Sequence, residues 1–190
     1  MTTLHIFTEE SSAKKVFDII LPKFLPENVS YRVYPHQGKQ DLEKALKDSV
    51  PTISKIPGSK IIITRDQDSS DCKLVKKYIE EKIELNCSCE FKIRIVCREL
   101  ESWFLGDLQA IKEVSPRFRP NQYQNRVDFR NVDTITSPSK YLLKIIPEFK
   151  RRTSLPKLEV ADSIAPHLDL ETNKSTSFNR TLEAIKSFVE

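Results

Sequence analysis

The apolar positions along the chain change period several times, and each change predicts an element. Leu4-His5-Ile6-Phe7 is a short apolar run of the kind a buried strand shows. Behind it, Ser11-Ser12 can cap a helix whose apolar face is Val16, Phe17, Ile19, Ile20 and Phe24. Tyr31-Arg32-Val33-Tyr34 alternates as a second strand. Pro35-His36-Gln37-Gly38 then turns the chain into a helix that begins near Gln40 and carries Leu42, Ala45 and Leu46. Lys60-Ile61-Ile62-Ile63-Thr64 is almost wholly β-branched and predicts a third strand. Residues Ser70 to Glu84 predict a helix through Leu74, Val75, Tyr78, Ile79 and Ile83, and Phe91 to Val96 predicts a fourth strand. An amphipathic stretch from Leu100 to Ile111 follows, with Trp103, Phe104, Leu105 and Leu108. Residues 112–140 are rich in Pro, Arg and Asn and weakly periodic, so a long loop is expected there. Helices resume at Tyr141 to Phe149, Val160 to His167 and Phe178 to Phe188.

Strands alternating with helices predict an α/β fold: a mostly parallel sheet of about four strands with helices on both faces, joined by right-handed crossovers. Residues 1–111 are expected to form this core. Residues 112–190 form a basic C-terminal loop-and-helix extension packed on it, the 190 residues making a single structural unit. At 38% hydrophobic and 31% charged, the composition excludes a disordered chain. No apolar run approaches the roughly 18 residues of a membrane span, and Met1-Thr2-Thr3-Leu4-His5-Ile6 lacks the features of a signal peptide, so a cytoplasmic location with no membrane partner is expected. Cys72, Cys87, Cys89 and Cys97 crowd into one stretch and are expected to be reduced. Cys87-Ser88-Cys89 is neither a CxxC motif nor half of a zinc ribbon.

The net charge of +4 hides an asymmetry. Residues 1–111 hold 17 Lys and Arg against 17 Asp and Glu, and between Lys112 and Lys157 there are 11 basic residues against 4 acidic ones. That segment is either a polyanion surface or an ordinary solvated face.

In open parallel sheets the working site lies outside the carboxyl ends of the strands. Those ends carry Glu9-Glu10, then Asp66 and Asp68, then Glu99 and Glu101. Asp66 and Asp68 are two apart, so in an extended segment their carboxylates project to one side. Crowded carboxylates raise one another's pKa unless a cation sits between them, and Mg²⁺ prefers a few carboxylates together with water and phosphate oxygens. Singly, each motif has an ordinary explanation: an Asp at a strand end forms turns, and Asp68 or Ser69 can cap the next helix. Their joint occurrence at one sheet edge is what points to a divalent metal.

These residues resemble the Toprim superfamily, with a Glu after the first strand and an Asp-x-Asp after a later one. More narrowly, the chain resembles the bacterial Toprim-related proteins grouped as domain of unknown function family 4276. That likeness rests on Phe7-Thr8-Glu9-Glu10, Gly38-Lys39-Gln40-Asp41-Leu42, Thr64-Arg65-Asp66-Gln67-Asp68 with Asp71-Cys72, Arg98-Glu99-Leu100-Glu101-Ser102-Trp103, and Ser175-Thr176-Ser177-Phe178. The family's usual Glu-Gly-x-Thr-Glu is here Glu9-Glu10-Ser11-Ser12-Ala13, which puts a bulky anion where glycine would let a phosphate approach.

The resemblance implies a nuclease hydrolysing the phosphodiester bonds of DNA or RNA with Mg²⁺ or Mn²⁺, as the effector of a bacterial defence system beside a partner ATPase. On this reading Asp66 and Asp68 hold the ion, and Glu9 completes the site or acts as general base. Glu101 helps bind a second ion or orients Lys39, while Arg65 or Lys39 neutralises a phosphate. Arg117, Arg119, Lys150, Arg151 and Arg152 would hold the strand. The altered first motif keeps open a catalytically inactive Toprim-like module that binds nucleic acid or a protein. An acidic-edged flavodoxin-like or phosphatase-like domain acting on small phosphate esters is a third reading. Trp103 is expected to be a core anchor, Gly38-Lys39 a turn with a surface lysine, and Ser177-Phe178 a helix cap followed by a packing residue.

Overall fold

In a computed structural model, which describes residues 1–189, four strands pair into one sheet. They are β1 (Thr2–Thr8), β2 (Val29–Pro35), β3 (Ser59–Asp66) and β4 (Phe91–Val96), in the order β2-β1-β3-β4 and all parallel. The register sets Thr8 beside Pro35 and Thr64, and Asp66 beside Val96, so the carboxyl ends of the strands form one rim. Helices α1 (Ser11–Ile20), α2 (Lys39–Ile53) and α3 (Cys72–Ile83) make the crossovers that parallel strands require. Five more helices follow β4: α4 (Glu101–Leu105), α5 (Leu108–Val114), α6 (Pro138–Ile145), α7 (Lys157–Ile164) and α8 (Thr176–Lys186).

Side-chain alternation along the strands gives the sheet two apolar faces. Leu4, Ile6, Ile62 and Val96 pack with Val16, Phe17 and Ile20 of α1 and with Trp103, Leu142, Val160 and Phe178 from the C-terminal helices. On the opposite face, Phe7, Ile61, Ile63 and Ile93 pack with Leu42, Leu46 and Val50 of α2 and Val75, Ile79 and Ile83 of α3. Each such buried side chain contributes about 1.5–3 kcal/mol. The same alternation sends Arg65 and Asp66 to opposite faces, and this decides the site.

Several expected elements shift. Leu74 and Tyr78 are exposed, at 68% and 44%. The buried stripe of α3 is Val75, Ile79 and Ile83, at four-residue spacing, and a position one residue away is turned about 100° out of the core. The stretch from Leu100 to Ile111 is two helices, because Asp107 starts a new one by accepting from the backbone N–H groups of Gln109 and Ala110. Asp71, rather than Asp68 or Ser69, caps α3, accepting from Lys73 and Leu74. Ser175, rather than Ser177, caps α8. Ser177 instead accepts from Trp103 Nε1 at 3.1 Å, and Trp103 is fully buried edge-on to Phe17 and Phe178. Within the basic loop, short 3-10 turns at Pro120–Gln122, Val127–Phe129 and Val132–Thr134 sink Phe129 and Val132 into the core. Among the described residues, no helix is long and apolar enough to cross a membrane.

Candidate metal centre

Glu9 follows β1, and its Oε2 accepts the backbone N–H of Asp66 at 3.2 Å, which ties the first strand end to the third. Burial raises its pKa, with Asp68 adding to the effect, while the Asp66 N–H, Arg65 and Lys39 oppose it. Asp66 closes β3 and faces the same side as Ile62. It is held well above the ordinary aspartate range, first by burial and then by Glu101 and Glu9, with Lys157 opposing. Among the described residues no donor reaches its carboxylate. Glu101 opens α4 and is 1% exposed, with a buried Oε2 that has no hydrogen-bond partner among the described residues. Burial, with smaller contributions from Glu99 and Glu10, pushes its pKa up to about 7 against the pull of Lys157. The three strand ends therefore deliver three carboxylates that resist ionisation together.

The cation they share was not singled out in the sequence. Lys157, at the start of α7, donates to both oxygens of Glu10, at 3.0 and 2.8 Å. Burial disfavours its charge, but Glu101, Glu10 and Asp66 outweigh that and hold the ammonium above the ordinary lysine range. Pro156-Lys157 has no motif around it and lies 147 residues from its partner. The available signal was the anomalous Glu10, which needs a counterion. Glu10 also accepts from Ser12 Oγ at 3.3 Å. Its charge is thus neutralised, rather than left to repel a phosphate. A cleft of ≈ 10 Å³ opens between Glu9, Glu10, Thr64, Asp66 and Trp103, room for about one water molecule.

Other expectations are corrected. Asp66 and Asp68 do not project to one side of an extended segment. The strand ends at Asp66, and Asp68 takes φ 54°, in the left-handed region, with its N–H donated to Arg98 O at 3.0 Å. Its carboxylate pairs at the rim with Lys39 Nζ, at 2.7 Å. Lys39 is therefore oriented by Asp68 and not by Glu101. Gly38, at φ 95°, makes the turn that presents Lys39 and donates its N–H to Glu9 O at 2.9 Å. Glu99 leaves the cluster to accept the Ser139 N–H at 2.8 Å, in the first turn of α6. Arg65 lies on the opposite face, where it donates to Glu43 at 3.0 Å, and so does not face the acids as a phosphate ligand. Of the basic segment, Arg117 is paired with Glu148 and Arg152 is bidentate on Glu159. Arg119, Lys150 and Arg151 are exposed and in no ion pair among the described residues.

An all-carboxylate donor set suits Mg²⁺ or Mn²⁺ rather than a thiophilic metal, and such an ion would satisfy the orphaned Glu101 oxygen and the acids beside it that resist ionisation. Among the described residues, however, no three His, Cys, Asp or Glu side chains already close around one point. The donors fit in chemistry, and Lys157, bonded to Glu10, supplies one positive charge that lowers the Asp66 and Glu101 pKa values without offsetting their burial.

The family model described as Domain of unknown function (DUF4276) matches residues 8–186. No curated protein and no solved structure matches the chain.

Proposed function

The chain belongs to the DUF4276 family, and from that premise we propose that it is a Toprim-like, metal-dependent nuclease hydrolysing the phosphodiester bonds of nucleic acid. The observation that carries this reading is the convergence of Glu9, Asp66 and Glu101 at one rim of the sheet, where burial raises all three pKa values and the half-buried Lys157 ammonium acts against the rise at Asp66 and Glu101. Asp66, Glu9 and Glu101 are the residues that would hold Mg²⁺ or Mn²⁺, with Asp68 on the rim. The ion, when bound, supplies a Lewis acid for the phosphoryl oxygens and lowers the pKa of water.

The remaining work falls to the chain. Glu9 Oε2 is oriented by the Asp66 N–H, and its raised pKa suits it to take the proton from an attacking water. Lys39, aimed by Asp68 at the rim, meets a phosphate oxygen. Lys157 pairs with the Glu10 carboxylate, so the substituted first motif no longer presents an uncompensated anion to the substrate. Arg119, Lys150 and Arg151 hold the flanking strand. By the same resemblance, the protein acts as the effector of a bacterial defence system with an ATPase partner, and the lack of a membrane-length apolar helix among the described residues fits action in the cytoplasm.

Purified protein is expected to degrade DNA or RNA with Mg²⁺ or Mn²⁺, alone or with that ATPase, and Glu101→Gln to remove the activity while the thermal melt stays cooperative. Undiminished cleavage by the variant rejects the site. The second reading, an inactive module, is favoured by the ready-made Lys157 counterion and by the absence of a closed ligand set among the described residues. Calorimetric titration separates the two. An active centre takes up Mn²⁺ with release of protons, and an inactive one takes up none.

A further inference from the structure

We infer that the outer edge of β4 is a docking site for an extended acidic segment of a partner protein, which adds to the sheet as a fifth strand. The inference uses none of the carboxylates of the candidate metal centre and stands whether or not the protein cuts nucleic acid.

β4 is an edge strand. Its Val96 carbonyl accepts from Gln67 and the Glu90 carbonyl just before it accepts from Ile61, both of these donors lying on the β3 side. By strand alternation the backbones of Lys92 and Arg94 also face β3, while those of Phe91, Ile93 and Ile95 face outward. Among the described residues, the outward carbonyls of Ile93 and Ile95 are met only by side chains from their own segment, Arg94 NH1 at 3.3 Å and Cys97 Sγ at 3.7 Å. Along this edge runs a groove of ≈ 240 Å³, between the amino ends of α3 and α8.

The groove's surface is mostly apolar, which suits a strand's β-branched side chains, and the cations on its walls select the charge of its occupant. Lys73 and Lys76 stand exposed on one wall and Arg180 on the other, with Arg94 between them. Arg94 Nε is buried without a partner, and the Arg94 guanidinium has no ion-pairing carboxylate among the described residues. Arg65 also has an orphan Nε, but it has Glu43 at its NH1. The one carboxylate in the groove, Asp133, is engaged by Ser175 Oγ and the Ser177 N–H, both at 2.7 Å, and Glu183 is paired with Arg180. Solvated lysines alone suffice to discourage edge-to-edge pairing. A buried Nε with no acceptor is destabilising and adds nothing to that protection. An acceptor brought by a partner accounts for it. A second copy of this chain does not supply one, because pairing β4 with β4 would set the same cations against each other.

The test uses the full chain and a labelled heptapeptide alternating glutamate with valine or threonine. Controls replace its glutamates by lysine, or its central residue by proline, which removes a pairing N–H. The acidic peptide is expected to raise anisotropy, to bind at least about tenfold more tightly than either control, and to slow amide exchange at Ile93 and Ile95 about tenfold. Arg94→Gln weakens binding about tenfold. Should that variant misfold, Lys73→Glu with Lys76→Glu, on the exposed wall, is expected to do the same. No binding, binding insensitive to these variants, or unprotected Ile93 and Ile95 amides each overturns the proposal. So does concentration-dependent self-association that protects those amides without peptide, which assigns the edge to a second copy.

Discussion

Arg65 and Asp66 are neighbours in sequence, yet they belong to ionic clusters of opposite character. On the α2/α3 face, the Glu43 carboxylate receives Arg65 NH1 at 3.0 Å, Tyr78 OH at 2.8 Å and Lys82 Nζ at 2.6 Å. Burial works to raise its pKa, but these donors outweigh it and hold Glu43 below the ordinary glutamate range. On the other face, among the described residues, the Asp66 carboxylate has no donor and Glu101 has an orphan oxygen. The Lys157 ammonium is bonded to Glu10, so burial prevails and both acids rise. Burial alone therefore does not mark a functional carboxylate. What separates the two clusters is the ratio of donors to acceptors: Glu43 is saturated and ties α2 to α3, whereas the Asp66 cluster has fewer donors than acceptors.

The largest expected effect lies in that contrast. Asp66→Asn should lower hydrolysis by at least about a hundredfold, whereas Asp68→Asn, outside the buried cluster and paired with Lys39, should cost about tenfold. Glu43→Gln should leave the rate within about twofold. Initial rates on one labelled substrate check all three, and equal losses at positions 43 and 66 would erase the distinction between the clusters.

Stability against pH gives the next largest effect, and the two faces act with opposite sign. Glu101 has an ordinary value of 4.5 and a folded value of about 7, so the folded state binds its proton more tightly than the unfolded chain. Its contribution favours folding below the lower value and is lost as pH rises to the upper one, a fall on the order of 3 kcal/mol. Glu43, held below its ordinary value, contributes stability above pH 4.5 that disappears on acidification through its folded pKa. Urea unfolding from pH 4 to 8 in a chelating buffer should show the decline on the neutral side, and Glu101→Gln should flatten it. A wild-type curve level between pH 5 and 7 would contradict the raised Glu101.

How much of this was legible in the sequence differs between the elements. β4 is found at its expected limits, Phe91 to Val96, because a β-branched and aromatic run bounded by polar residues has few alternative readings. Placing Glu9, Asp66 and Glu101 at one rim followed from the carboxyl-end rule, since parallel order alone brings those ends together. Asp68 was misjudged because its positive φ is a tertiary outcome: the strand stops at Asp66, and Arg98 O then captures the next turn. Arg65 was misjudged because the strand runs two residues beyond Thr64, and continued alternation carries its side chain to α2. Lys157 was invisible because its role depends on packing α7 against α1, which no local pattern encodes.

A middle-sized effect tests the donors themselves. Glu43→Gln removes the charge that holds Arg65 and Lys82, and should cost about 1 kcal/mol in urea unfolding at pH 7. Lys157→Met should cost a similar amount at pH 8 and little at pH 5, where Glu101 carries its own proton and the cluster needs less positive charge. A pH-independent penalty at position 157 would mean that Lys157 stabilises by packing alone.

The smallest effect per residue extends the comparison to the basic segment, where cations differ in whether a carboxylate already engages them. Arg117 and Arg152 are occupied by Glu148 and Glu159, so a phosphate would have to compete with those pairs. Arg119, Lys150 and Arg151 face solvent without that competition. Each phosphate contact releases condensed counterions and contributes about 0.9 to the slope of log affinity against log salt on duplex DNA, or about 0.7 on single strands. Changing the three free residues to Gln should therefore flatten the slope by about 2 to 3, whereas changing Arg117 and Arg152 should flatten it by less than about 1. The measurement is anisotropy with a labelled oligonucleotide from 50 to 300 mM salt, in a chelating buffer so that cleavage does not interfere. Equal changes from both sets would show that carboxylate pairing does not govern which cations reach the strand, and no change from either would make the segment an ordinary solvated face.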